Sequence, residues 1–532
     1  MSAKSMSATS DQKHFEVVVI GFGPTGAMAA NLLGAQGITT LAIDRISDIY
    51  DKPRAIALDH EIMRLFDNLD IAEQISRYVA PFPASEHFGA RGQLIRRIDM
   101  VGEPYPLGYT PSMVFTQPPV ERVMRDRVGS FPSVTVELGT ALVDISQDAK
   151  CATLVLQHED GTTREVTANY VIACDGASST VRQKLGISFD DLDFDEPWLV
   201  VDLLVNSAGV SKLPATAAQF CNPARPTTYI IGPGNHRRFE IMLRLGEDRH
   251  AMEQPEQVWQ LLSPWLKPED ATLWRAASYR FHALIASRWS QGRVLLAGDA
   301  AHQQPPFIGQ GMCQGLRDAA NLCWKLAHVL RGQSSAVLLD SYEAERSTHV
   351  RELTTRIKAI GRVICEQDPE AAAARDARIL AEGGGAPRTI TRQEIVPPLT
   401  TGLLAAKPNV ANGTLFPQPW ILRDGGKALL DAIAGVGWRL ILDGRSALNT
   451  SAIDAATRDA GINTIAIGGN GLQEESAVVA RWFERHGCTA ALVRPDHYVY
   501  GVAKDAPGLA ALLAELNERL HYNKKHPTGK TP

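Results

Sequence analysis

The chain has 532 residues, of which 45% are hydrophobic and 21% charged, and its formal net charge is −5. That length exceeds what one core serves and predicts about three structural units. The mild acidity offers nothing to nucleic acid, and no apolar run reaches the ~18 residues that a membrane-spanning helix needs, so neither partner is expected. Residues 1–14 read as a polar tail without the apolar centre of a signal peptide, which points to the cytoplasm. Seven cysteines with no CxxC pair and no Cys/His ligand spacing predict neither a disulfide framework nor a metal site.

In chain order, the β-branched run "FEVVVI" feeds into "GFGPTG" (Gly21, Gly23, Gly26) and then a helix-like segment. A second strand, "ITTLAID", ends at Asp44, 18 residues beyond Gly26, where a carboxylate can hold a ribose diol. Gly21 permits a tight turn, Gly23 a close approach to pyrophosphate, and Gly26 close packing of helix on strand. The helix N-terminus then offers free amides to the phosphates. This unit predicts dinucleotide binding and leaves open whether the ligand is FAD or NAD(P).

Further on, "LDHEIMRLF" places Asp59 and His60 at a helix start. A strand ending at Cys174 is followed by Asp175-Gly176 and a helix capped by Ser178 or Ser179, with Arg182 in its first turns. Short β segments at 198–205, 218–221, 227–231 and 238–242 suggest a sheet forming the roof of a pocket. The stretch "RVLLAGDAAHQQPPFIGQGMCQGLRDAANLCWKL" carries a strand into Gly298-Asp299, then Pro305, Pro306, Gly309 and Gly311. Met312, Leu316, Ala319, Cys323 and Leu326 then recur at helical spacing, predicting an amphipathic helix whose N-terminus faces the glycine loop. Residues 363–412 read as a connector, and residues 413–532 alternate strands and helices.

The motifs "GFGPTG", "ACDGASSTVR" and "LLAGDAAHQQPPFIGQGMCQGLRDAANLCWKL", together with "KPRAIALDHE" and "CNPARP", closely resemble the FAD-dependent aromatic hydroxylases, nearest to those acting on 3-(3-hydroxyphenyl)propionate. The resemblance implies an α/β fold, with a Rossmann-like FAD-binding domain, an inserted β-sheet substrate domain and a thioredoxin-like C-terminal domain lacking CxxC. The FAD domain is expected at 15–362, discontinuous, with the sheet inserted mainly at 82–108 and 187–288. Asp299 is expected on the ribityl chain, Asp44 and Arg45 at the adenosine end, and Arg54 near the pyrophosphate. Gln117 is expected to touch the cofactor, and Asp175 and Arg182 to link FAD with NAD(P)H. Gly298, Gly309, Gly311 and Met312 complete the cradle, while Pro305 and Pro306 form a stiff wall beside the flavin.

The reading is an FAD- and NAD(P)H-dependent monooxygenase that uses O2 to hydroxylate a small phenol ortho to its hydroxyl. The expected substrate is a 3-(3-hydroxyphenyl)propionate-like acid, and the enzyme a homodimer. Orcinol, resorcinol, halophenol or nitrocatechol substrates fit the same machinery, and a flavin-containing interaction protein without turnover is the non-enzymatic alternative. The phenol must lose its proton, and Asp59, His60 and His282 are the candidates to take it; His302 is placed to steer proton transfer at the flavin. Each histidine is equally readable as a satisfied structural residue. Arg225 and Arg238 are candidate carboxylate partners, with Tyr279 beside the pocket.

Overall fold

The computed structural model describes residues 13–82, 84–446, 448, 453, 457, 458 and 460–521. Residues 1–12 of the expected tail lie outside the described residues. Lys13 and His14, expected in that tail, instead start the first strand, Lys13–Ile20, with Lys13 opposite Val166.

Among the described residues, an eight-stranded sheet has a parallel centre: Val294–Leu296, Thr163–Ala173, Lys13–Ile20, Thr40–Asp44 and Val134–Leu138. Val17, Val18 and Val19 have no exposed surface, because helices cover both faces; this is why the run is continuously β-branched rather than alternating. The strands Lys13–Ile20, Thr163–Ala173 and Val294–Leu296 are direct neighbours, so the turns that follow them open at the same edge.

A nine-stranded sheet stands over that edge, dominated by the long antiparallel pair Phe189–Val205 and Ala271–Ala286. It also takes in two strands from outside the expected insertions. His302–Gln303 comes from the third motif, and Arg388–Thr391, from the connector, runs parallel to Leu94–Asp99. In strand His236–Met242, Phe239 and Ile241 enter an apolar cluster with Leu199 and Val201, which leaves Arg238 and Glu240 on the opposite face.

The C-terminal sheet runs Asn463–Ile467, Arg439–Asp443, Ala490–Val493, Val499–Ala503, its first pair parallel and the others antiparallel. With helices Val478–His486 and Ala506–His521 this is a thioredoxin-like arrangement. All seven cysteines are free, and burial raises the Cys488 thiol to about 12.

Helix Gly311–Leu330 has no solvent-facing polar stripe: Arg317, Asp318, Asn321 and Lys325 are buried together with Leu316, Ala319 and Cys323. Charges from helix Asp340–Ile364 and from the C-terminal domain meet that face. Lys325 Nζ lies 2.8 Å from Glu345, whose other contacts include Arg494 at 2.7 Å. Periodicity identified the polar side and not what covers it.

Candidate active site

The three glycine motifs converge on one crevice. Gly21, with φ of +92°, packs so tightly on the second motif that a side chain there would begin 2.4 Å from the Cys174 carbonyl oxygen. Gly298, at the end of the third motif's strand, approaches Thr25 of the first helix so closely that an added Cβ would lie 2.6 Å from its hydroxyl. Both oxygens of Asp44 accept backbone N–H bonds, from Phe22 at 2.7 Å and Ile46 at 2.9 Å, which fixes the carboxylate at the strand end. Asp299 is exposed at the crevice surface, yet the protein mass around it raises its carboxyl above the ordinary range, with His302 and Arg54 pulling the other way. Gly23 and Gly311 both face open space, and Gly311 is the first residue of the long helix, whose free amides therefore point into the crevice.

Beside the crevice lies a cavity of about 140 Å³, bounded by Arg54 to Ala57, Pro306 to Gly309, Gly311 and Met312 on one side and by the nine-stranded sheet on the other. Two charged side chains that the sequence reading passed over line it. Glu240 is 3% exposed, and its Oε2 has no hydrogen-bond partner. Burial raises this carboxyl to about 7, against the pull of Arg238. Arg392, at the end of the connector strand, donates to the Ile308 carbonyl and lies over the Phe82 ring at 4.8 Å. It has no carboxylate within ion-pair distance among the described residues, and burial lowers its guanidinium to about 10.

The family described as FAD binding domain matches residues 14–357, and the HcaD C-terminal domain matches residues 413–519. The chain belongs to the FAD-dependent aromatic hydroxylases. It is 37% identical to a probable NADH-specific resorcinol 4-hydroxylase of Rhodococcus jostii (strain RHA1), over 97% of each chain. It is 34% identical to a 3-(3-hydroxy-phenyl)propionate/3-hydroxycinnamic acid hydroxylase of Burkholderia cenocepacia (strain HI2424), covering 94% of this chain and 95% of that one. Its fold superimposes on aklavinone-11 hydroxylase, solved with FAD and aklavinone, at a TM-score of 0.79 and 23% identity, covering 96% of this chain and 99% of that one.

FAD is therefore the cofactor of this hydroxylase, and the crevice fits it. Asp175 Oδ1 and both side-chain polar atoms of Gln304 are buried without partners along the crevice motifs, and groups of that kind call for a polar ligand. Gln117 and Arg182 act on the loops. Gln117 Oε1 accepts from the Arg54 and Ala55 amides at 3.2 and 2.6 Å, bracing the segment that carries Arg54. Arg182 donates to the Ala300 and Ala177 carbonyls at 3.1 and 3.0 Å, tying the second motif to the third. Arg45 is exposed just beyond Asp44, Gly26 sits under the first turn, and Gly309 packs against Ala57. Pro305 is buried behind Pro306.

Several candidates are engaged elsewhere. Asp59 caps helix His60–Asp67 and is bound by Arg317 and by Gln310 at 3.1 Å; despite its burial, Arg317 keeps it below the usual carboxylate range. His60 is buried next to it, and desolvation lowers its imidazole to about 4, so it accepts no proton near neutrality. His302 bonds Asp318 at 2.7 Å and stacks on Trp289, facing the core and not the crevice. His282 lies beside Asp195 at 3.3 Å, and Tyr279 is 39% exposed under Arg275; neither lines the cavity. Arg225 is held by both oxygens of Glu247 at 2.7 Å, away from the cavity. Arg238 does line it, but Asp202 and the Arg54 and Pro53 carbonyls occupy its guanidinium. Alternation in "HRRFEIM" was the available signal for Glu240, whereas nothing local distinguishes Arg392.

Proposed function

We propose that this enzyme hydroxylates a meta-substituted phenol with a short acidic tail, ortho to its hydroxyl, using NADH and O2. The observation that carries the reading is Arg392, a buried cation on the cavity wall with no carboxylate partner among the described residues, which suits an anionic substituent. FAD, when bound, supplies the chemistry by which reduced flavin and O2 deliver one oxygen atom to an activated ring. The chain's own groups prepare that event. Asp44, Asp175 and Asp299 would hold the cofactor, the helix amides at Gly311 would favour negative charge on it, and Pro306, Phe307 and Ile308 wall the cavity against water. NADH is favoured as the reductant by the description of the Rhodococcus relative.

A second reading, resorcinol as substrate, is supported by the higher identity of that relative and by Glu240, a carboxylate that a second hydroxyl can meet. The domain limits proposed are those read from the sequence, with Arg388–Thr391 of the connector added to the substrate sheet. A homodimer in the cytoplasm is proposed on the family resemblance, and light scattering tests its mass. The function is tested by incubating the holoenzyme with NADH, 18O2 and, in parallel, 3-(3-hydroxyphenyl)propionate, resorcinol and a neutral 3-alkylphenol. One labelled oxygen in a ring product supports hydroxylation, and preference for the acid supports the role of Arg392. NADH oxidation without labelled product from any phenol overturns the reading.

A further inference from the structure

We propose that Glu240 receives the hydroxyl proton of the phenolic substrate at its Oε2. The inference rests on the phenol-hydroxylase reading and adds to it the group that activates the ring.

The geometry singles out this atom. Strand His236–Met242 is interior to the nine-stranded sheet, and alternation turns Arg238 and Glu240 toward the cavity while Phe239 and Ile241 pack away from it. The two polar side chains nearest it on that wall, Thr228 and Arg238, are already committed. Thr228, directly opposite Glu240 in the register, donates to Gln219 at 2.6 Å. Arg238 faces Glu240 Oε1 at 4.0 Å but spends its hydrogen bonds on Asp202, Arg54 and Pro53. Oε2 is left unpartnered at 3% residue exposure, and an unsatisfied buried carboxylate oxygen is costly unless a ligand donates to it. A phenol O–H is such a donor.

The proton balance is direct. The O–H bond breaks, its electron pair stays on the phenolic oxygen, and the proton moves to Oε2, leaving a neutral Glu240 beside a phenolate. An ordinary carboxylate is a poor base for a phenol, whose intrinsic pKa is about 10. Burial narrows that gap by raising Glu240 to about 7. The charged groups around the pair are Arg238 on the same strand, Asp202 on the adjacent strand, Arg54 on the loop below and Arg392 across the cavity. With Asp202 already paired to Arg238 and Arg392 assigned to the anionic substituent, Arg54 remains to favour a phenolate.

The test compares wild-type, Glu240→Gln and Glu240→Asp holoenzymes, with FAD content measured first. With the phenol that the wild type hydroxylates best, Glu240→Gln should lose about 100-fold in kcat/KM and lose the acid limb of its pH profile near pH 7, while Glu240→Asp keeps part of both. In parallel, wild-type holoenzyme is titrated with 3-nitrophenol, whose anion absorbs in the visible. Binding should ionise it at pH 7.5, where most of it is neutral in solution, and should cease to do so at pH 5.5. This arm decides the matter even if the glutamine variant does not retain FAD. A nitrophenol bound as the neutral species at pH 7.5, or a loaded Glu240→Gln enzyme within about 3-fold of wild type with its acid limb intact, overturns the proposal. A wild-type enzyme that hydroxylates no phenol takes down the functional reading and this proposal together, whereas one that hydroxylates while indifferent to Glu240 takes down this proposal alone.

Discussion

At the junction between helix His60–Asp67 and the C-terminal domain, buried guanidinium groups meet carboxylates. Arg64 grips both oxygens of Asp431 at 2.6 and 2.8 Å, Arg439 reaches the same aspartate at 2.5 Å, and Tyr498 donates to Glu61 at 3.0 Å. A short distance away in the molecule, the crevice and cavity bury Glu240 Oε2, Asp175 Oδ1 and the Gln304 amide with no partner at all. The two regions contain the same residue types, so residue type alone does not identify the site. What separates them is the pairing of their carboxylates: Asp431 and Glu61 accept from buried donors at the junction, whereas Glu240 Oε2 and Asp175 Oδ1 have none and suit a ligand that donates.

The sharpest way to break this contrast is Asp431→Ala, which would strand two buried guanidinium groups, Arg64 and Arg439. A loss of about 3–5 kcal/mol in unfolding free energy is expected, read by urea denaturation. A loss below 1 kcal/mol would mean that the junction is not held by charge. Asp299→Ala acts in the other region, and most of the bound FAD should be lost while the melting temperature of the flavin-free protein stays near wild type. Normal FAD content in that variant would remove Asp299 from the ribityl chain.

Arg392→Ala should raise KM for 3-(3-hydroxyphenyl)propionate about 10-fold or more and leave KM for a neutral 3-alkylphenol within about 3-fold, the worth of one charge-assisted contact. Equal effects on both would return Arg392 to a structural role. Acid should act on the junction. His60 is depressed to about 4 when folded against an ordinary 6.5, so its unfolded form takes up a proton first, and stability falls as pH drops through that window. Asp431 is also depressed, by Arg64 acting against burial, so stability present at neutrality falls further below the ordinary carboxylate range. Thermal melts from pH 7 to 4 should decline throughout, and a flat profile would contradict the pairing. Smallest of all, Cys488→Ser should leave turnover at wild type and stability within about 1 kcal/mol, since the thiol is buried with no partner cysteine. Loss of turnover in a folded variant would revive a thiol role.

The cofactor crevice was legible because each part of it is local. A strand, a glycine turn and a helix lie contiguously in the sequence three times, and the parallel sheet makes their ends adjacent. The cavity wall was not, because it is assembled from segments as far apart as Arg54, Glu240 and Arg392, none of which carries a motif. Asp59 and His302 drew attention through residue type and position near the motifs, but type says nothing of partners, and Arg317 and Asp318 had already claimed them. What covers the polar side of helix Gly311–Leu330 was not legible for the same reason, since a sequence does not distinguish water from an opposing domain's charges.

The lock between Arg64 and Asp431 joins residues 367 positions apart. Each domain therefore carries half of a matched set of charges. A chimera that grafts a relative's C-terminal domain onto this flavin domain inherits only one half: Glu345 keeps Lys325 and Glu61 keeps Arg317, but unless the relative supplies an acid for Arg64 it buries a bare guanidinium at the seam. In laboratory recombination the productive crossover points are those that keep these pairs within one parent, so the two domains of this enzyme travel as a single inherited unit.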